Sequence, residues 1–217
     1  MDWTRILRAL RACPIVPVLS VDRVEHAQPL ANALAAGGIT VSEITLRTEA
    51  GLPSIAAFKA ACPDMIVGAG TVLDINDLRR ARDGGSDFIV TPGFDAELLA
   101  ALADCPIPVI PGIATASEAI AARNAGLNRV KLFPAEIVGG AAAIRAFSGP
   151  LPDMGFMPTG GVTPGNLTEY LRQETVFAVG GTWIAKGDHA ASGDWQAITA
   201  RAREALEAAL EVRPRLS

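Results

Sequence analysis

The sequence is poor in the residues that most often build enzyme centres: it has two histidines, His26 and His189, and three lysines, Lys59, Lys131 and Lys186. Two imidazoles are too few for a multi-histidine metal centre, and a Ser-His-Asp triad would rest on almost nothing. His26 reads as a helix residue and His189 as part of a late loop, neither with a role, and neither a metal nor another cofactor is expected. Cys13, Cys62 and Cys105 are odd in number, far apart and each followed by proline, which gives no CxxC pair and no disulfide framework. They are expected as free thiols buried at strand starts or helix ends. Long apolar runs are missing too, and Asp2, Arg5, Arg8 and Arg11 stand where a signal peptide would carry its apolar stretch. The expectation is a cytoplasmic protein with no membrane segment. Basic runs end at Arg79-Arg80, and 19 Lys plus Arg against 23 Asp plus Glu leave a net charge of −4, so nucleic acid is not an expected partner.

Apolar residues are abundant: they make up 50% of the 217, against 19% charged. With a mean hydropathy of +0.30 this composition excludes a disordered or fibrous chain. No linker or low-complexity stretch divides it, so one domain over residues 1–217 is expected. Runs rich in Val and Ile predict strands near 14–19, 41–46, 65–70, 87–91, 107–111, 129–133, 155–159 and 176–180. Their starts are about 20 to 27 residues apart, room for a strand, a crossover helix and two short loops.

Helix signals fill the gaps. Asp22 with Glu25 and a stop at Gly37-Gly38, and Asp74 with Asp77 and a stop at Gly84-Gly85, read as caps and ends. Leu98, Leu99 and Leu102 form one apolar stripe, and Trp195, Ile198, Ala202, Ala205, Leu206 and Ala209 a longer one. Trp3, Ile6, Leu7 and Leu10 predict an extra helix before the first strand. Eight βα units point to an α/β fold, a lean (β/α)8 TIM barrel with an extra N-terminal helix. An open doubly wound sheet is disfavoured because the first βα turn, Pro17-Val18-Leu19-Ser20-Val21-Asp22, lacks a glycine-rich dinucleotide loop.

Chemistry in such a barrel sits at the C-terminal strand ends. In the second strand, period two puts Glu43, Thr45 and Arg47 on one face, a carboxylate beside a guanidinium in a segment headed for burial. A buried structural ion pair would read the same way. Lys131 stands between Val130 and Leu132 in the sixth strand, where desolvation favours the neutral, nucleophilic amine of Schiff-base chemistry. Lys59 and Lys186 read as ordinary solvated lysines. The last two strands end in Thr159-Gly160-Gly161 and Gly180-Gly181-Thr182, whose backbone N–H groups suit a phosphate. Thr71 offers a hydroxyl to a carboxylate, and Pro92 and Phe133 an apolar wall.

These segments, read together, resemble the 2-keto-3-deoxy-6-phosphogluconate (KDPG) and 4-hydroxy-2-oxoglutarate (KHG) aldolase family of class I pyruvate aldolases. The resemblance runs through Pro14-Ile15-Val16-Pro17-Val18, Glu43-Ile44-Thr45-Leu46-Arg47-Thr48, Val67-Gly68-Ala69-Gly70-Thr71-Val72, Pro111-Gly112-Ile113, Lys131-Leu132-Phe133-Pro134-Ala135-Glu136, Pro158-Thr159-Gly160-Gly161-Val162 and Gly180-Gly181-Thr182-Trp183. It implies Lys131 as Schiff-base lysine, Glu43 as general acid/base, and Arg47 and Thr71 on the pyruvate carboxylate. Pro92, Phe133 and Thr159 would touch substrate, while Gly160, Gly161, Gly180, Gly181 and Thr182 would hold its phosphate. Thr182 stands where the family frequently has serine. Thr159 matches the gluconate-type enzymes more than the galactonate-type ones. The resemblance further implies a phosphorylated 2-keto acid as partner, no cofactor and a homotrimer. A galactonate-configured aldolase, a phosphate-binding barrel isomerase or epimerase, and a non-catalytic sugar-phosphate-binding barrel are the alternatives.

Overall fold

Residues 2–186 and 192–213 are described by the computed structural model; His189 lies outside them. The chain opens with helix α1 (Thr4–Ala12), then strand β1 (Ile15–Leu19), helix α2 (Ala27–Ala36), β2 (Val41–Thr45), α3 (Gly51–Ala61), β3 (Ile66–Gly70), α4 (Ile75–Asp83), β4 (Phe88–Val90) and α5 (Ala96–Ala103). It continues with β5 (Val109–Ile110), β6 (Gly112–Ile113), α6 (Ala116–Asn124), β7 (Arg129–Leu132), α7 (Gly140–Ser148), β8 (Gly155–Pro158), α8 (Leu167–Leu171), β9 (Val179–Gly181) and the long α9 (Trp195–Val212). The strands are parallel throughout, in a six-stranded sheet ordered β5-β4-β3-β2-β1-β9 and a three-stranded sheet ordered β6-β7-β8. Isolated parallel bridges, Phe156 to Val176 and Thr159 to Gly180, connect the β8 segment to β9 and the residues leading into it.

The alternation of βα units expected from the sequence is observed, with three local differences. Of the fifth expected strand only Val109–Ile110 pairs, and a further dipeptide strand, Gly112–Ile113, follows Pro111, which has no N–H to give a ladder; its carbonyl still accepts from Lys131 N at 2.9 Å. The last strand begins at Val179 rather than 176, since Val176 makes only an isolated bridge to Phe156. Asp22 does not cap α2. A 3₁₀ turn, Val24–His26, leads into that helix, and Glu25 is instead paired with Arg23. The Asp74 cap holds, accepting from Asp77 N at 2.8 Å; Asp95 does the same for α5, and Thr115 with Glu118 forms a full capping box on α6.

Period-two alternation splits the core into two layers. Ile15, Ile44, Val67, Ile89, Val130 and Phe156 face outward and pack with the helices, against Leu98 and Leu102 of α5 and Ile198, Ala202 and Leu206 of α9. Val16, Val41, Ile66, Phe88, Val90, Ile110 and Met157 face inward, and Ile6 and Leu10 of α1 pack with them. Helix α1 therefore covers the inner layer at the N-terminal ends of the strands. Cys13 and Cys105 are buried and Cys62 half-buried; Cys13 Sγ lies 3.9 Å from Ile15 O. Lys59 is not simply solvated: its ammonium lies 2.9 Å from Asp87 and donates to Gly85 O at 2.7 Å. Lys186 is exposed. Among the described residues, no helix is long and apolar enough to cross a membrane.

Candidate active site

Moving from the N-terminal to the C-terminal end of β2, the inward side chains change from apolar to polar. In β2 the inner face reads Val41, Glu43, Thr45; the opposing positions of β3 read Ile66, Gly68, Gly70, in register. Glu43 is fully buried and Lys131, from β7, almost so, with side-chain exposures of 0% and 6%; Lys131 Nζ lies 3.1 Å from Glu43 Oε1 and 3.4 Å from Oε2. An ion pair this deep forfeits the hydration of both partners, and removing either leaves the other uncompensated.

The glycines of β3 create the space for this pair. A Cβ on Gly70 would lie 2.1 Å from Glu43 Oε1, and one on Gly68 would enter the Phe88 ring at 2.4 Å. On the other side of the lysine, the Phe133 ring centroid is 5.4 Å from Nζ. Both groups open into a cavity of about 130 Å³ lined by Val18, Glu43, Thr45, Arg47, Thr71, Pro92, Lys131, Phe133, Thr159, Gly160, Gly161, Val162, Gly181 and Thr182.

Arg47 is exposed at the mouth, yet its stem is held: Nε donates to Thr45 Oγ1 at 3.2 Å, and that hydroxyl donates to Leu19 O at 2.9 Å. Arg47 borders the cavity. Thr71 has φ +59°, a left-handed conformation that β-branched residues rarely adopt. Backbone strain of this kind collects at ligand-binding walls, and Thr71 borders the cavity.

After β8 the carbonyls of Thr159, Gly160 and Gly161 are all taken, by Ala135 N at 2.8 Å, Glu136 N at 3.1 Å and Asn166 Nδ2 at 3.1 Å. In a trans peptide the C=O and the following N–H point opposite ways. The N–H groups of Gly160, Gly161 and Val162 therefore turn away from those partners, and the same three residues border the cavity. Successive N–H groups left without those partners are what an anion nest is built from. Gly160 and Gly161, at φ +93° and +83°, supply the backbone shape, and a Cβ on Gly161 would strike Glu136 Cγ at 2.4 Å. The carboxylate of Glu136 accepts from the Tyr170 hydroxyl, which burial, and then this bond, hold above the usual phenol range, so it stays a donor.

Every site residue expected from the sequence borders this one cavity except Gly180. Its hydrogen faces Thr159, whose Oγ1 would be 2.2 Å from an added Cβ. Val18, Thr45 and Val162 line the cavity without having been singled out as site residues; Thr45 shares the face of Glu43 and Arg47, which was its signal. A larger cavity of about 1040 Å³ lies at the other end, between α1 and the starts of β7 and β8, lined in part by Arg8, Arg11, Arg129 and Arg213. It does not include the Lys131–Glu43 pair.

The family model described as KDPG and KHG aldolase matches residues 6–201. The chain is 47% identical to the 2-dehydro-3-deoxy-phosphogluconate aldolase of Pseudomonas aeruginosa, over 94% of this chain and 92% of that protein. It is 44% identical to the KHG/KDPG aldolase of Escherichia coli, over 90% and 92%. Among solved structures, KDPG aldolase from Legionella pneumophila, with pyruvate captured as a covalent carbinolamine, superposes with a TM-score of 0.88 at 37% identity, covering 92% of this chain and 97% of that one. A buried lysine–carboxylate pair inside a curled parallel sheet and likeness along almost the whole sequence lead to one conclusion: the chain belongs to the KDPG and KHG aldolase family.

Proposed function

We propose that this protein is a class I aldolase that cleaves 2-keto-3-deoxy-6-phosphogluconate to pyruvate and glyceraldehyde 3-phosphate through a Schiff base on Lys131. The observation that carries the reading is the pair of Lys131 Nζ and Glu43 at 3.1 Å, buried yet open to a cavity. Glu43 is the group to which the ammonium hands its proton. The neutral amine adds to the C2 ketone, giving a carbinolamine of the kind captured with pyruvate in the Legionella pneumophila relative; loss of water, with a proton returned by Glu43, leaves the iminium. Glu43 then takes the C4 hydroxyl proton, directly or through a water. The C3–C4 bonding electrons move into the enamine, and the aldehyde departs. Protonation of the enamine at C3 and addition of water release pyruvate and restore Lys131.

In the same reading, Arg47 and Thr71 hold the pyruvate carboxylate, and Pro92 and Phe133 keep water from the iminium. The N–H groups of Gly160, Gly161 and Val162, with Gly181 and the Thr182 hydroxyl, hold the phosphate, while Gly180 makes room for Thr159. The KHG/KDPG name of the Escherichia coli relative supports 4-hydroxy-2-oxoglutarate as a second substrate. Thr159 favours the gluconate configuration. The reading further takes the two sheets, joined through Pro111 and the Thr159–Gly180 bridge, as one eight-unit barrel forming a single domain, in a cytoplasmic homotrimer.

Incubation with pyruvate and borohydride, read by intact mass and peptide mapping, is the test. One reduced pyruvyl group per chain is expected on the Lys131 peptide, and Lys131→Ala should remove the adduct and lower cleavage by at least about a thousandfold. Lys59→Ala and Lys186→Ala should keep both. No adduct, or one on Lys59 or Lys186, would overturn the Schiff-base reading.

A further inference from the structure

Of the three donors that fix the carbonyls after β8, two are backbone N–H groups and one, Asn166 Nδ2, is a side chain. The orientation of this amide is dictated by its neighbours. Its Oδ1 accepts from Thr163 N at 2.7 Å and from Thr163 Oγ1 at 3.3 Å. A backbone N–H can only donate, so the oxygen must face Thr163 and the NH₂ must face Gly161 O, 3.1 Å away. The amide thus closes the loop from Gly161 to Asn166 on itself. Gly161 has no side chain to resist a change of its ψ, the torsion that with Val162 φ sets the plane of the Gly161–Val162 peptide. What keeps its carbonyl outward, and hence Val162 N–H inward, is the Asn166 bond.

We propose that Asn166 is a positioning residue that sets the preference of this enzyme for the phosphorylated over the unphosphorylated aldol, by fixing the Val162 N–H in the anion nest. The inference rests on the aldolase reading above and on a phosphate at the nest. Asn166 itself is half-buried, does not line the cavity and touches no reacting atom.

The test compares kcat/KM for 2-keto-3-deoxy-6-phosphogluconate and for 2-keto-3-deoxygluconate, the same aldol without its phosphate. It uses the full-length wild type, Asn166→Ala and Asn166→Asp. Rates are normalised to sites titrated by the pyruvate–borohydride adduct, so that misfolded chains are not counted. Both variants should lower the ratio of the two kcat/KM values on the order of tenfold, the range for one hydrogen bond to an anion, through a raised KM for the phosphorylated substrate. The pyruvate adduct and turnover of the unphosphorylated aldol should be retained. Asn166→Asp keeps the acceptor for Thr163 N and loses only the donor, so the two variants separate lost positioning from added charge. A drop confined to Asn166→Asp would overturn the proposal in favour of electrostatic repulsion. Equal losses on both substrates would reduce Asn166 to a structural residue, and an unchanged ratio in Asn166→Ala would reject it outright. A wild-type ratio near one would remove the phosphate reading itself, and the inference with it, whereas a missing adduct in the wild type would remove the aldolase reading.

Discussion

The two ends of the strands make a natural comparison, because they are built from the same segments under the same alternation. At the N-terminal end the inner layer is Val16, Val41, Ile66 and Phe88, covered by Ile6 and Leu10 of α1. Two residues further along the same strands, Val41 gives way to Glu43 and Ile66 to Gly68, and after two more to Thr45 and Gly70. A polar side chain among these apolar groups would need a partner or bear the cost of a buried unsatisfied group. At the uncovered end, polar groups can be supported by one another and by solvent at the mouth. Stability is thereby assigned to one end and chemistry to the other, and cavity volume is no guide to which is which, since the larger cavity lies at the end without the lysine–carboxylate pair.

The strongest way to break this comparison is to give the open end one atom of the packing that fills the closed one. Gly70→Ala places a methyl 2.1 Å from Glu43 Oε1 and 2.6 Å from its Cγ, so the carboxylate must leave Lys131. Cleavage should fall by about a hundredfold or more, the usual contribution of a placed acid/base group. Steady-state kinetics on the folded variant, its fold verified by circular dichroism, measures this; turnover within a few-fold of wild type would show that Glu43 placement is not what the glycine protects.

The division into two ends was readable in the sequence only in part. Period two in Val41 to Arg47 puts Glu43, Thr45 and Arg47 on one face, and the isolation of Lys131 between apolar neighbours marks it out, because both signals are local to one strand. The helix start at Asp74 was equally local. What escaped depends on which strand lies beside which. That Gly70 vacates space for Glu43 requires the β2–β3 register, and that Lys59 is tied to Asp87 requires α3 to pack beside the start of β4. The role of Gly180 as a space-maker for Thr159 depends in the same way on β8 meeting β9. Asn166 is five residues from Gly161, close in sequence, but its amide closes an irregular loop that no periodic pattern announces. Beyond Pro111, where the fifth strand was expected to close, Gly112–Ile113 forms a further strand that pairs with β7, which again depends on a neighbour.

A substitution at the covered end sharpens the comparison from the other side. Leu10 is 3% exposed and packs among the inner-layer side chains. Leu10→Ala should lower unfolding free energy by about 2–4 kcal/mol, through lost burial and the cavity left behind. The pyruvate adduct per folded chain should be unchanged. Denaturant unfolding alongside adduct titration tests both halves, and a loss of adduct in the folded fraction would mean that the two ends are mechanically coupled.

The smallest effect is expected at the rim of the open end. Arg47 is exposed, so its replacement should cost the fold little, and Arg47→Lys keeps the charge while discarding the planar fork and the Nε bond to Thr45 Oγ1. If charge alone held the substrate carboxylate, lysine would serve nearly as well. A bidentate contact with a pre-aligned fork is instead worth on the order of 1–3 kcal/mol beyond the point charge. KM for the aldol and the half-saturating pyruvate concentration for adduct formation should therefore both rise by roughly tenfold or more, with unfolding free energy unchanged within about 0.5 kcal/mol. The comparison between the two ends then has a clear signature: Leu10→Ala shifts the melting curve and leaves pyruvate affinity alone, and Arg47→Lys does the reverse. Wild-type pyruvate affinity in Arg47→Lys would show that the guanidinium geometry set by Thr45 is incidental, and that the mouth of the cavity recognises its substrate by charge.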